Sequence, residues 1–229
     1  MNALENKVII YDDVCPLCDA YTGSFIKMGW LKQRTGFAGA DPTLLSDIDL
    51  DRARHEIPLY DTQSRQTLYG LDALFCILGA RLPVLMPVFR NRIFRSVLKQ
   101  VYQIITYNRR IIAGSRAPRQ GFDCAPDVNL FYRWLYIVLA LVVAVVLLTV
   151  NWPGQYSSWY VALPALQAIL LLLGLLLSAN RLNFLGHWAT ISLVLAVSVG
   201  LLPLHPAAAF LWTAFGTWLW FKRWDLAFS

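Results

Sequence analysis

Two stretches of this chain carry no Asp, Glu, Lys or Arg: residues 134–180, 47 in number, and residues 182–221, 40 in number. Crossing the hydrocarbon core of a bilayer takes ~20 apolar residues of helix. Each stretch therefore has room for two spans and a turn. Turn-forming residues stand where the turns should fall, at Asn151, Pro153 and Gly154 in the first and at Pro203 and Pro206 in the second. The pattern predicts four helices, near 131–150, 159–178, 187–203 and 206–221, the last two short and little tilted. The rest of the chain is different: residues 1–129 hold 16 of the 20 Lys and Arg and 13 of the 14 Asp and Glu. The division predicts a charged head over 1–128 and an all-α four-span transmembrane bundle over 129–229.

Lys and Arg beside the spans set the expected orientation. Arg109, Arg110, Arg116, Arg119 and Arg133 precede the first span, Arg181 lies between the second and third, and Lys222 and Arg223 follow the fourth. The other two connections are uncharged, so all basic connections fall on one side. Trp134, Trp152, Trp159, Trp188 and Trp224 lie near span ends, as interfacial anchors do. The N-terminus has no basic segment leading into an apolar run with a cleavage site, so no secretory signal is read there. The reading is a multi-pass protein of the cell inner membrane with head and C-terminus both cytoplasmic, its first partner being the lipid bilayer.

Within the head, the apolar run Val8–Ile9–Ile10–Tyr11 leads into Asp12–Asp13–Val14–Cys15–Pro16–Leu17–Cys18, and a helical pattern over 20–31 leads out. A Cys-x-x-Cys pair thus sits at a strand-to-helix junction. The first turn of a helix has backbone N–H groups without helical partners, and their dipole favours negative charge. A thiolate at Cys15, the reactive form of the residue, would be stabilised there. Pro16 suits the first helical position, where its missing N–H is not needed.

This stretch resembles the DCC family of thiol-disulfide oxidoreductases, whose signature is similar to Tyr-Asp-Gly-x-Cys-Pro-x-Cys. Tyr11, Asp12, Cys15, Pro16 and Cys18 match, and Asp13 stands where the family usually has Gly. A weaker match follows at Tyr69-Gly70-Leu71-Asp72-Ala73, Pro87, Tyr102 and Asn108-Arg109. The resemblance covers roughly the first 128 residues and implies an α/β thioredoxin-like domain with redox-active cysteines. It also implies that Cys15 is the exposed, attacking thiol and that Cys18 is shielded and resolves the mixed disulfide.

The residues read in order agree with that class. Strands are predicted at 8–12, 35–40, 57–60 and 66–69, and helices at 20–31, from 41 into 50, and at 71–78, the last closed by Gly79. The order β-α-β-α-β-β-α beside a Cys-x-x-Cys pair is that of thioredoxin-like domains. Pro58 opens the third strand. Thioredoxin-like folds resemble one another in a cis-proline at this place, facing the cysteine pair; a trans proline at a strand end is the other reading.

Residues 81–119 contain nine basic residues and no acidic one. Phe89, Ile93, Val97, Val101 and Ile104 recur at helical spacing, with Arg90, Arg92, Arg95 and Lys99 away from that stripe. One reading lays this basic amphipathic helix on an anionic inner leaflet. The other packs it on the head with its basic face in water. No groove-reading motif accompanies the charge, so nucleic acid is not an expected partner.

Asp12, Asp13 and Asp19 flank the cysteine pair and no Lys, Arg or His adjoins it in sequence, which points to a reducing or weakly reactive centre. A metal site is not expected, because Cys76, Cys124, His55, His187 and His205 include no close pair to complete a zinc set. Nor is a cofactor: His187 and His205 lie at opposite ends of the third span, ~27 Å apart, too far to share a haem iron. No cysteine follows Cys124 and no carboxylate or Lys lies mid-span, so the bundle reads as an anchor or a docking surface for membrane partners. The sequence points to a membrane-anchored thiol-disulfide oxidoreductase acting on a protein or small-molecule disulfide. The competing reading is a non-enzymatic membrane subunit whose head binds protein.

Overall fold

The structure, a computed structural model, describes residues 4–116, 123–150, 158–201 and 206–228. It divides into two compact units, Met1–Asn129 and Leu130–Ser229.

The first unit is a mixed α/β domain. Its sheet has four strands, β1 (Lys7–Tyr11), β2 (Gln33–Gly36), β3 (Pro58–Asp61) and β4 (Gln66–Tyr69), in the order β2-β1-β3-β4. β1 runs parallel to β2 and antiparallel to β3, and β4 is antiparallel to β3. Side chains alternate between the two faces of a strand. Ile9 packs with Phe25, Leu31, Leu59, Ala73 and Ile77 on one face, and Ile10 with Phe37, Ile48, Ala53, Tyr60 and Tyr69 on the other. Helices cover both faces, which is why β1 reads as an unbroken apolar run.

α1 (Pro16–Lys27) starts four residues before the periodic pattern, because Pro16 is preset for the first turn. It ends where Gly29 turns left-handed at φ +66°. The single helix expected from 41 into 50 is two, α2 (Pro42–Ser46) and α3 (Leu50–His55). Asp41 caps the first by accepting from the Thr43 N–H at 2.8 Å, and Asp49 caps the second by accepting from that of Arg52 at 3.0 Å. α4 (Gly70–Arg81) runs through Gly79, which does not close it. A Cβ at Gly79 would collide with the Met86 sulfur, so the residue serves packing, not termination.

The predicted stripe from Phe89 to Ile104 is interrupted. α5 (Met86–Arg90) ends at Asn91, whose side chain accepts from the Ile93 and Phe94 N–H groups and so starts α6 (Arg92–Ala113). Phe89 is buried, stacked on Phe75 at 4.6 Å, whereas Ile93, Val97 and Val101 stand exposed. α6 meets the domain instead through Tyr102, whose hydroxyl accepts from the Ile57 N–H at 3.0 Å, and through buried Thr106 and Ile111. Arg95 pairs with Asp72, and Arg92, Arg95 and Lys99 line a cleft with Glu56 and Asp72; Arg90 is exposed.

The second unit is helical: α7 (Leu130–Val150), α8 (Ser158–Leu177), α9 (Arg181–Leu201) and α10 (Pro206–Phe228). The last two are longer than predicted. The Asn180 side chain accepts from the Asn183 N–H at 3.0 Å and starts α9 two turns before the apolar run, and α10 continues past Lys222 and Arg223. Among the described residues, two stretches are apolar enough by length and composition to cross a membrane, Leu130–Val150 and Arg181–Val199, where four were expected. The connections read as turns at 151–155 and 203–205, and Trp152, lie outside the described residues.

α9 is the hub of this unit. α10 runs antiparallel along it, with Asn183 Nδ2 donating to the Leu226 carbonyl at 2.9 Å and Trp212 Nε1 to that of Val194 at 2.8 Å. α7 joins through a 2.7 Å hydrogen bond between the Tyr136 and Thr190 hydroxyls. Gly174 of α8 leaves room for the fully buried Phe184 ring. The interior combines a Phe184–Ile191–Trp220 cluster with small and polar residues, among them Ala140, Ala144, Ser192 and Ser198, while Val142, Val146, Leu172, Phe210 and Phe221 face outward.

Candidate active site

The site forms where β1 ends. Tyr11 is the last strand residue, held in register with Gly36 of β2. A Cβ at Gly36 would stand 2.8 Å from that of Asp13, so a bare backbone at 36 is what accommodates a side chain at 13. The Asp12 carboxylate accepts from the Val14 N–H at 3.2 Å, and its carbonyl accepts from the Cys15 N–H at 3.1 Å. This tight turn delivers Cys15, in extended conformation, as the N-cap of α1, with Pro16 at the first helical position.

Cys15 and Cys18 are free thiols one helical turn apart. Their side chains share a hydrogen bond, which is the main reason the Cys15 thiol is lowered to about 6. Burial opposes that shift, and the Arg109 guanidinium adds to it. Cys18, the donor to the Cys15 thiolate, is pushed up by the same hydrogen bond and by burial.

The electrostatics differ from those of the local sequence. Arg109, from α6, places Nη2 3.1 Å from the Asp12 carboxylate, and both side chains are buried or nearly so. Arg34, from β2, pairs with Asp19 at 2.8 Å and lies over the Tyr11 ring at 4.7 Å. Two of the three acids flanking the pair are thus matched by arginines from elsewhere in the fold. Asp12 itself is raised, because burial outweighs the attraction of Arg109.

Cys15 is not exposed as the resemblance implies: it is 1% exposed and Cys18 6%. Its N–H is tied back to Asp12 and its sulfur to Cys18, which turns the side chain into the domain. Pro58 is buried and its peptide bond is trans, not cis. It still reaches the site. A cavity of about 260 Å³ is lined by Tyr11, Asp12, Cys18, Pro58, Arg109 and Cys124 among others. Of the pair, Cys18 and not Cys15 lines that cavity.

Sequence reasoning placed Arg109 among the charges that precede the membrane and Cys124 at the end of the head. The structure brings both to the dithiol. Arg109 also donates to the Cys124 carbonyl, Arg110 pairs with Asp123, and Arg54 donates to the Ala125 carbonyl at 3.2 Å. Three arginines therefore bind segment 123–125 beside the cavity. The signal available in sequence was Asn108-Arg109 itself, a polar pair about two turns beyond Tyr102 on the helix that docks on the domain. Arg90, Arg92, Arg95 and Lys99 take no part in the site.

A dithiol on a strand-to-helix junction, its first sulfur favoured as thiolate, has the chemistry that thiol-disulfide exchange requires. Residues 9–115 match the model of the DCC1-like thiol-disulfide oxidoreductase family, so the head carries the family's likeness together with the Cys15–Cys18 pair. No curated protein and no solved structure matches the chain at a significant level.

Proposed function

We propose that the chain is a membrane-anchored thiol-disulfide oxidoreductase whose thioredoxin-like head works in the cytoplasm. The observation that carries the reading is the Cys15 sulfur: helix cap, acceptor from Cys18, within reach of Arg109, and lowered to about 6. At neutral pH such a thiol is mostly thiolate, the nucleophilic form. Cys15 attacks one sulfur of a substrate disulfide and the other sulfur leaves as a thiolate. Cys18 then gives up its proton and attacks the Cys15 sulfur. The products are a Cys15–Cys18 disulfide and two substrate thiols, a transfer of two electrons. The strand order β2-β1-β3-β4, with β3 alone reversed, supports the thioredoxin-like assignment.

Membrane anchoring is supported by the apolar outer face of the second unit, where Val142, Val146, Leu172, Phe210 and Phe221 are exposed, and by the small and polar residues that stand among its interior contacts. α7 and α9 begin at the same end of the bundle, so a chain that crosses in both must return between them, and α8 is the segment that can. With α10 antiparallel to α9 as the fourth, the reading is a four-span bundle, with Pro58, Tyr11, Asp12 and Pro16 supporting the dithiol on the cytoplasmic side.

The burial of Cys15 favours a second reading, a redox-silent head that binds protein. A redox titration of the purified protein separates the two. Reversible two-electron oxidation confined to Cys15 and Cys18 is expected for the enzyme. With it, Cys15→Ser abolishes exchange, and Cys18→Ser accumulates substrates as mixed disulfides on Cys15. Absence of both the couple and the trapped species, in folded protein, sinks the enzymatic reading.

A further inference from the structure

Three basic side chains are buried together inside the helical unit, where α7 and α9 begin and α10 ends. Arg133 is 6%, His187 3% and Arg223 4% exposed. They occupy one level of the bundle, between the Tyr136–Thr190 hydrogen bond on one side of α9 and the Asn183–Leu226 hydrogen bond on the other. Arg133 and Arg223 both act electrostatically on His187 and on Tyr136, so the four groups form a single cluster. From residue 130 onward the sequence has one acidic residue, Asp225, and it is exposed. Among the described residues, Nε and Nη1 of Arg133 and Nδ1 of His187 are buried without a hydrogen-bond partner. The neighbouring hydroxyls do not serve them: Tyr136 and Thr190 bond to each other, and Thr190 also donates to the Gly186 carbonyl at 2.8 Å.

Removing a cation from water costs several kcal/mol unless an opposite charge and hydrogen bonds replace the lost hydration. The Arg133 guanidinium and the His187 imidazole share this buried level, and among the described residues no buried carboxylate stands beside them. The N-termini of α7 and α9 lie at the same end, and helix N-termini also favour negative charge. Guanidinium forks match the oxygens of a phosphate in pairs, which a point cation does not.

We propose that Arg133, His187 and Arg223 form a binding site for a phosphate-type oxyanion, supplied by the headgroup of an anionic phospholipid or by free phosphate. The site is independent of the dithiol; only the lipid source rests on the reading of the bundle as membrane-embedded.

The test uses the full chain purified in uncharged detergent. One arm follows retention of phosphatidylglycerol against phosphatidylcholine by native mass spectrometry. The other follows thermal unfolding in inorganic phosphate against chloride at equal ionic strength. The wild type is expected to retain phosphatidylglycerol selectively, to be stabilised by phosphate, or both. Lipid alone identifies a headgroup site, and phosphate alone or with lipid identifies a general oxyanion site. Arg133→Gln should weaken the response roughly tenfold, the loss of a charge-assisted hydrogen bond. Arg181→Gln removes an exposed charge from the same end and should leave the response unchanged. If Arg133→Gln does not fold, Arg133→Lys and His187→Gln make the same comparison with Arg181→Gln. A wild type that responds to neither probe, or an Arg181→Gln loss as large as that at Arg133, overturns the site.

Discussion

Arg109 changes what the cysteine pair can do, and it does so across a long interval of sequence. It offsets Asp12, lowers the Cys15 thiol together with Cys18, and anchors Cys124 by its carbonyl. Replacing it with Gln should raise the titration midpoint of Cys15 modestly above 6, since the Cys18 hydrogen bond, the larger cause, still holds it below the ordinary thiol value of ~8.5. Thiolate absorbance in the ultraviolet measures this without requiring access to the buried sulfur. Arg109→Lys should give a smaller shift, because charge survives while the fork is lost. An unchanged midpoint in Arg109→Gln would remove Arg109 from the account. The sign for stability follows from linkage. The folded-state value of Cys15 lies below the unfolded one, so the thiolate stabilises the reduced fold fully above the unfolded value. That contribution is lost as pH falls through about 6. Reduced wild type should therefore lose stability relative to Cys15→Ser between about pH 8.5 and 6, and Arg109→Gln should lose less. The dithiol, its proline and its strand-to-helix junction were legible in sequence because they are local. The partner cation was not, because α6 delivers it through tertiary packing. The burial of Cys15 was hidden for the same reason: a helix tip reads as exposed unless the turn before it is known.

At the scale of elements, α6 is where pattern and packing part. Its helical period was legible, and so was its division into apolar and basic residues. The pattern could not tell which apolar face meets the domain, since Ile93, Val97 and Val101 are as regular as the Phe94, Leu98, Tyr102 series one position along. The capping side chain of Asn91 decides it by breaking the stripe after Phe89. The result is an exposed apolar row with Arg92, Arg95 and Lys99 toward the opposite side, the arrangement of an interfacial helix. The first unit alone, residues 1–129, is expected to bind anionic vesicles. Binding should weaken as salt shortens the screening length to ~10 Å at 0.1 M. Replacing Arg90, Arg92, Arg95 and Lys99 by Gln should abolish the salt-sensitive part. Replacing Ile93, Val97 and Val101 by Ser should abolish what remains. Flotation with vesicles measures both, and binding unchanged by either set would assign the helix face to another partner. The pair Arg95–Asp72 is half exposed on both sides, so Arg95→Gln should alter stability by no more than ~1 kcal/mol.

At the scale of the whole molecule, the boundary between a charged head and an uncharged bundle follows from where Lys, Arg, Asp and Glu stand. Helix ends inside the bundle did not follow from it, because Asn180 and the basic end of α10 extend helices beyond their apolar stretches. The parallel course of α7 and α9 adds a constraint that hydropathy lacks: if both cross a membrane, a third crossing must lie between them. Under the proposed four-span reading, the head, the 178–180 connection and the C-terminus share one side, and the connection between α7 and α8 lies on the other. A cysteine introduced at Ser157 should react with an impermeant thiol reagent added outside intact cells. Cys15 is a poor reporter for the head, being buried, whereas Ser64 is exposed in the turn between β3 and β4. A cysteine at Ser64 should react only after the membrane is opened. Reaction at Ser64 from outside would place the head in an oxidising compartment. There the glutathione and thioredoxin systems that keep cytosolic thiols reduced do not act. The Cys15–Cys18 pair would then rest as a disulfide, and its exchange would run toward oxidation of substrates. Reaction at neither position, with both proteins inserted, would place the α7–α8 connection on the inner side and remove the return crossing by α8.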